Sequence, residues 1–189
     1  MILTVFMSLL AIHLYSQPAH VFGIKGGLNV STLGQDPLLT PKLGYNVGLY
    51  SSSRYYQELG LQVELILSEQ GARYESFSNL KLNYTYLNVP VFANIFFVED
   101  AAIECGLQAG YLLKATQIDE GEKYDIREEV RSWDFSGILG LSYNKPYGSL
   151  GIRYVLGINN VNSASRSSEI KHRNNVLQLY IAKTLIKSE

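Results

Sequence analysis

Leu59-Gly60-Leu61-Gln62-Val63-Glu64-Leu65-Ile66-Leu67-Ser68 places Leu59, Leu61, Val63, Leu65 and Leu67 on one side of an extended chain and Gly60, Gln62, Glu64, Ile66 and Ser68 on the other, because successive side chains of a strand point to opposite faces. Between residues 22 and 186 the chain makes eight such swings with period two. A soluble sandwich would turn the apolar face inward, but the sequence offers no second layer to receive it. The opposite face carries charges that suit a small enclosed lumen. Apolar outside and polar inside is the pattern of a β-barrel in a bacterial outer membrane, where closure pairs the backbone groups that lipid cannot hydrate.

Working outward, strands are expected over 22–31, 42–51, 57–70, 81–97, 102–115, 132–143, 148–157 and 174–186. Most exceed the roughly 9–11 residues that a tilted strand needs to cross a bilayer. The connections fall into two classes. Those at 52–56, 98–101 and 144–147 are hairpin-sized, whereas those at 32–41, 72–80, 116–131 and 158–173 are longer and polar. Every second connection of an up-and-down barrel lies at the same rim, and outer-membrane barrels keep short turns in the periplasm and long loops outside. The reading is an all-β, eight-stranded antiparallel up-and-down transmembrane barrel of the small outer-membrane type, with both termini in the periplasm. Pro90, in the middle of a strand, lacks a ladder donor and implies a bulge or a local break in pairing.

Composition agrees with this class. Charged residues make up 17% of the chain and aromatics 12%, with 14 tyrosines, 16 glycines and 5 prolines. Tyrosine and glycine suit strands, tight turns and interfacial belts. Aromatics gather near the expected rims: Tyr55, Tyr56, Phe96, Phe97, Tyr143 and Tyr147 at the short-turn end, and Tyr74, Tyr84, Tyr111, Trp133 and Phe135 toward the long loops. A net charge of −1 without a Lys/Arg cluster argues against nucleic acid as a partner. Met1 to Ile12 is nearly all apolar and is followed by Ser16 and Gln17. That predicts a signal peptide over 1–16 and a barrel domain over 17–189. The positively charged leader segment is missing, since Lys25 is the first basic side chain, so the true translation start is expected to lie upstream. As an anchor helix, those twelve residues would reach only about 18 Å of a roughly 30 Å hydrocarbon core. No other stretch approaches 18 consecutive apolar residues. Cys105, the single cysteine, falls on an apolar strand face and reads as a small hydrophobe.

The face turned from lipid carries Lys25, Glu64, Glu104, Lys114, Asp134 and Arg153. An eight-stranded barrel is just wide enough for side chains to fill it, and charges held there must pair. Three acids against three bases make a neutral network arithmetically possible. It reads either as a selective path or as a structural plug, and the plug is favoured. Elsewhere, Gly23-Ile24-Lys25-Gly26-Gly27 lacks the ending of a phosphate loop and is read as strand glycine. The three histidines, His13, His20 and His172, have no second ligand at metal spacing. Neither a metal site nor a cofactor is expected. His172 with Ser167, Ser168 and Glu169 is the one arrangement that a hydrolase could use, and such loop residues are common by chance. Asp119 to Arg131 holds six acids (Asp119, Glu120, Glu122, Asp125, Glu128, Glu129) and three bases (Lys123, Arg127, Arg131), and reads as a solvated outer loop.

Several ordered blocks resemble PorT-like outer-membrane β-barrel proteins: Phe22-Gly23-Ile24-Lys25-Gly26-Gly27-Leu28-Asn29-Val30-Ser31, Leu43-Gly44-Tyr45-Asn46-Val47-Gly48, the 64–73 block, Tyr86-Leu87-Asn88-Val89-Pro90-Val91, the 106–113 block and Asp134-Phe135-Ser136-Gly137-Ile138-Leu139-Gly140. The resemblance implies a Gram-negative outer-membrane location. It also implies a tie, through the family's namesake, to type IX protein secretion. It brings no catalytic residue. One departure is the C-terminus, which ends Leu185-Ile186-Lys187-Ser188-Glu189 where many such barrels end in an aromatic residue used in assembly.

The expected function is therefore a non-enzymatic structural, adhesive or accessory role in the outer membrane, with a link to protein secretion in view. A small channel is the alternative, followed by a lipid-modifying enzyme and a soluble lipocalin-like barrel. Outer-membrane lipid and other envelope or secretion proteins are the expected partners, and the oligomeric state is left open. Contacts are expected on the long loops, at Asp119, Glu120, Arg127, Glu128, Arg166 and His172.

Overall fold

In the computed structural model, which describes residues 20–34, 39–74, 80–161 and 172–188, the period-two alternation becomes a closed wall. The strands are β1 (His20–Leu33), β2 (Leu39–Arg54), β3 (Leu59–Tyr74), β4 (Lys81–Phe96), β5 (Ala101–Asp119), β6 (Glu122–Asp125), β7 (Trp133–Lys145), β8 (Gly148–Gly157) and β9 (Asn174–Ser188). Neighbours run in the order β4-β3-β2-β1-β9-β8-β7-β5, and a β4–β5 pairing closes the ring. All these pairings are antiparallel. Eight strands thus form a closed antiparallel barrel, and β6 is a ninth, short strand attached to β5 outside the ring.

Closure joins the first strand to the last along its whole length, from His20↔Ser188 to Leu33↔Asn174. No sheet edge is left in the wall, which is the condition for crossing lipid with strands. Outward positions are exposed and apolar in row after row, including Leu43, Leu107, Leu139, Leu150 and Ile181. Cys105 is among the exposed wall residues. The β3–β4 sector differs: Val63 and Val89 lie on the outward face yet are buried, with Leu65 and Val91 packed against them. There the ladder pairs Val63↔Val91 and then Ile66↔Asn88 in unchanged register, with Glu64–Leu65 and Val89–Pro90 unpaired between. Pro90 therefore causes a break in pairing and no bulge on this side.

Six of the eight wall strands are longer than the apolar pattern suggests, because backbone pairing continues through polar residues, while β8 keeps the expected bounds and β4 ends one residue earlier. The segment expected as a loop over 116–131 is the clearest case. β5 runs on to Asp119, turns through Glu120 (φ 48°) and Gly121 (φ 95°), and returns as β6. Positive φ at both central residues is the requirement of a two-residue hairpin turn whose twist matches its strands. A single turn of 3-10 helix at Arg127–Glu129 then brings the chain back to the wall.

At the short-turn rim Tyr55, Tyr56, Phe97, Tyr143 and Tyr147 are exposed, while Phe96 lies under the Arg54 guanidinium at 3.8 Å from its centroid. Lys145 pairs with Asp100 across this rim, and that hydrogen bond raises the Lys145 ammonium above its ordinary value. At the other rim Tyr111, Trp133 and Phe135 form a contiguous outer girdle, with centroids 5.2 and 6.3 Å apart. Tyr84 does not join it. It is 3% exposed and points into the barrel mouth, as its parity with the buried Asn88 requires.

Candidate functional site

The lumen is built from inward residues of every wall strand, and charge occupies its middle. Lys25 (β1), Glu64 (β3), Glu104 (β5) and Arg153 (β8) are each 3% exposed or less. Lys25 Nζ donates to Glu64 Oε1 at 2.7 Å. Arg153 donates through Nη1 to Glu64 Oε2 at 3.0 Å and through Nη2 to Oε1 at 3.2 Å. Its Nε donates to Glu104 Oε2 at 2.8 Å, and Tyr180 donates its hydroxyl to Glu104 Oε1. Gln62 adds a bond to Glu64 at 2.8 Å. Two cations meet two anions, so the cluster is neutral and every carboxylate oxygen accepts a bond, which is the condition for holding ions away from water.

Aromatic rings complete the seal. Lys25 Nζ sits 3.3 Å from the centroid of Tyr180, and the Arg153 guanidinium lies 4.3 Å from that of Phe92. Both rings stand opposite glycines in the ladder, Phe92↔Gly106 and Tyr180↔Gly151. A Cβ at Gly151 would come within 2.6 Å of the Tyr180 ring, and one at Gly106 would collide with the Phe92 backbone and Cβ. Glycine here gives a neighbouring ring its space.

Of the six residues expected in the lumen, four meet in this cluster. Asp134 is buried but apart, accepting from Ser136 at 2.8 Å and from Asn174 at 3.4 Å. Lys114 is not in the lumen at all, and this corrects the parity reading. The β4–β5 ladder pairs Thr85 with Lys114 and then Tyr86 with Leu112, so Leu113 is an inserted residue. Leu112 and Ala115 turn inward while Leu113 and Lys114 are both exposed. A water-soluble amine reagent is accordingly expected to modify Lys114 in the folded, detergent-solubilised protein and to spare Lys25, read by peptide mass spectrometry. Equal protection of the two would return Lys114 to the lumen.

Polarity alone also missed several lumen residues. Lys42 is 5% exposed and pairs with Glu69 at 2.6 Å, brought together by a register shift between Pro41 and Asn46. Tyr180, Phe92 and Tyr86 share parity with Gln178, Asn94 and Asn88, a signal that was present. Next to the cluster on its loop side comes a layer of neutral polar side chains: Asn29 bonds Ser68 at 2.9 Å and accepts from Asn46 at 2.7 Å. Above it an apolar layer formed by Leu33, Leu39, Tyr84, Tyr86, Leu112, Val130 and Val161 closes the mouth. Arg131 N donates to Val161 O and Val161 N to His172 O, both at 2.8 Å, tying the loops over that layer. A cavity of about 260 Å³ remains there, partly lined by Gln117, Glu129 and His172.

The expected contact residues divide. Glu120 and Glu128 are exposed. Arg127 is half-buried and folds back, donating to Ser132 Oγ at 3.3 Å. Asp119 pairs across the hairpin with Glu122, and His172 lines the mouth cavity. Tyr124 donates to Glu122, and this bond raises its phenol above the ordinary value. Arg166, together with Ser167, Ser168 and Glu169, lies outside the described residues, as does the expected signal segment.

The hairpin stands clear of the wall. The last β5–β7 pair is Tyr111↔Trp133, and β5 continues to Asp119 with β4 on one side and β6 on the other. Among the described residues, no further strand pairs with the outer edge of β6.

Comparison with known proteins agrees with this architecture. Residues 15–163 match the family described as outer membrane protein beta-barrel domain. Ail, the attachment invasion locus protein of Yersinia pestis, superposes with a TM-score of 0.53 at 15% identity, over 90% of this chain and 100% of its own. The same protein in complex with the heparin analogue sucrose octasulfate gives 0.52 at 15% identity, over 89% and 100%. Neisserial surface protein A gives 0.59 at 13% identity, over 89% and 100%. At these identities the likeness is one of fold. No curated protein matches the chain in sequence.

Proposed function

The chain belongs to the outer membrane protein beta-barrel domain family, and from that premise we propose that it is a non-enzymatic barrel of the bacterial outer membrane whose working surface is its loop end, in an adhesive or accessory role. The observation that carries this reading is the tongue formed by β4, β5 and β6, which rises past the wall and ends in a strand edge that no other described strand pairs. An exposed edge is a ready template for strand addition by a partner. The filled lumen supports a structural plug over a channel, because the largest wholly buried side chains, Arg153, Tyr86 and Phe92 among them, occupy its bore.

In this reading residues 1–16 are a signal peptide removed on export, and the short turns and termini face the periplasm. The chain, in the PorT-like manner, assists other envelope or secretion proteins. Charge narrows the partner. The segment from Asp119 to Arg131 holds twice as many acids as bases, so a basic protein surface fits it better than a polyanion of the kind bound by Ail in its sucrose octasulfate complex.

The test is crosslinking in the native outer membrane from a photoreactive residue at Lys123 or Glu128. A defined envelope protein is the expected adduct. Reversal of Glu120, Glu122 and Glu128 to lysine should weaken it several-fold, since exposed charges contribute about 0.2–1 kcal/mol each. Adducts as abundant from Leu139 on the lipid face would sink the reading.

A further inference from the structure

We propose that the outer wall carries a binding site for one anionic phospholipid at the short-turn rim, spanning β2, β1, β9, β8 and β7. Two ladder rows cross this sector. One runs Val47–Gly26–Ile181–Leu150–Tyr143 and the next, nearer the turns, Leu49–Ile24–Lys183–Gly148–Lys145. Each row has a glycine gap, and together they form an open cleft of about 860 Å³ that includes all ten residues in its lining.

Gly26 is not required by packing. A Cβ added there would meet only the Asn46 carbonyl oxygen, at 3.8 Å, whereas at Gly27, one residue on, it would collide with the Leu179 carbonyl. The space over Gly26 is therefore vacant wall, bounded by Val47, Ile181 and Leu150, and it has the apolar lining and linear run of an acyl-chain groove.

Lys183 supplies the charge. It is exposed on the lipid-facing side of β9, between Ile24 and Gly148. Among the described residues no carboxylate pairs with it, while its neighbour Lys145 is engaged by Asp100. A lysine on the lipid face is costly at depth and tolerable near the interface, where its stem lies on apolar wall and its ammonium reaches a headgroup. Tyr143 and Tyr147 lie beside it with exposed rings. The occupant is a glycerophospholipid with its phosphate at Lys183 and one chain over Gly26. A net-anionic headgroup is preferred because it carries no amine of its own to compete with the lysine. That the rim meets a phospholipid leaflet rests on the periplasmic placement of the short turns proposed above.

The experiment is native mass spectrometry of the folded full chain in micelles containing equimolar phosphatidylglycerol and phosphatidylethanolamine. Several-fold enrichment of a single phosphatidylglycerol adduct is expected. Gly26→Leu and Lys183→Ala should each abolish it, and Lys183→Arg should keep it, with the heat-dependent gel shift of each variant reporting that it is folded. Equal retention of the two lipids overturns the site, as does enrichment that survives both substitutions. A dimer abolished by Gly26→Leu would also overturn it, by giving the cleft to a second copy. Micelles have no leaflets, so this result is independent of orientation, which labelling of a Lys123→Cys variant on intact cells reads separately.

Discussion

Replacing Arg153 by methionine is expected to lower the stability of the barrel by about 3–5 kcal/mol, the cost of leaving a buried charge without its partner. Among the described residues, Arg153 is the one cation that pairs with both Glu64 and Glu104. Its loss leaves two carboxylates against Lys25 alone, in a bore that water does not reach. The damage should lie in charge balance more than in lost volume, because methionine keeps most of the apolar stem. The double variant Arg153→Met with Glu104→Gln restores neutrality, with Lys25 and Glu64 remaining as a pair at 2.7 Å. It should recover more than half of the loss. Urea unfolding in lipid vesicles, followed by the heat-dependent gel shift, measures both. Additive losses in the double variant would show that the four groups do not act as a unit.

Truncating Phe92 to alanine is expected to cost a similar amount, about 3–5 kcal/mol, through the cavity it leaves. Phe92 is 1% exposed, lies across from Gly106, and faces the Arg153 guanidinium. The facing residue, Gly106, has no side chain that could move in to fill the space. Phe92→Leu, which retains most of the volume, should lose less than about 1.5 kcal/mol. The same unfolding measurement separates the two, and equal losses for Ala and Leu would place the role of Phe92 in its ring electrostatics, not in its volume.

Much of this is legible in the sequence. Period-two alternation and the order of loop lengths are enough for an eight-stranded up-and-down ring, because parity assigns faces and connection length assigns rims. Lys25, Glu64, Glu104 and Arg153 were visible as inward residues of regular strands. Parity fails where a ladder skips: the inserted Leu113 turned Lys114 outward, and that irregularity has no side-chain signature. Lys42 shares the inward parity of Gly44 and Asn46, but its position at the end of the expected strand gave no sign of its pairing with Glu69. Tyr180, Phe92 and Tyr84 were overlooked for a different reason. An aromatic residue in a barrel suggests the interface, yet each stood on the inward parity, where a facing glycine or the mouth layer admits a ring. The β5–β6 hairpin was hidden because its ladder is made of charged residues, and backbone pairing does not require apolar ones.

The position of the four buried charges along the chain has a bearing on assembly. Lys25 and Glu64 belong to β1–β4, Glu104 and Arg153 to β5–β9, so within the cluster each half of the sequence contributes one acid and one base. The cluster therefore asks neither half-sheet to bring an unmatched charge of its own toward the bilayer. Of the cluster's ion pairs among the described residues, the fork from Arg153 to Glu64 is the one that crosses between halves, over 89 residues of sequence. β8, which carries Arg153, neighbours β9, and β9 makes the final seam with β1. Contacts so distant in sequence form late, and Arg153 thus acts as the bolt drawn once the seam has met, turning two half-sheets into one cooperative ring.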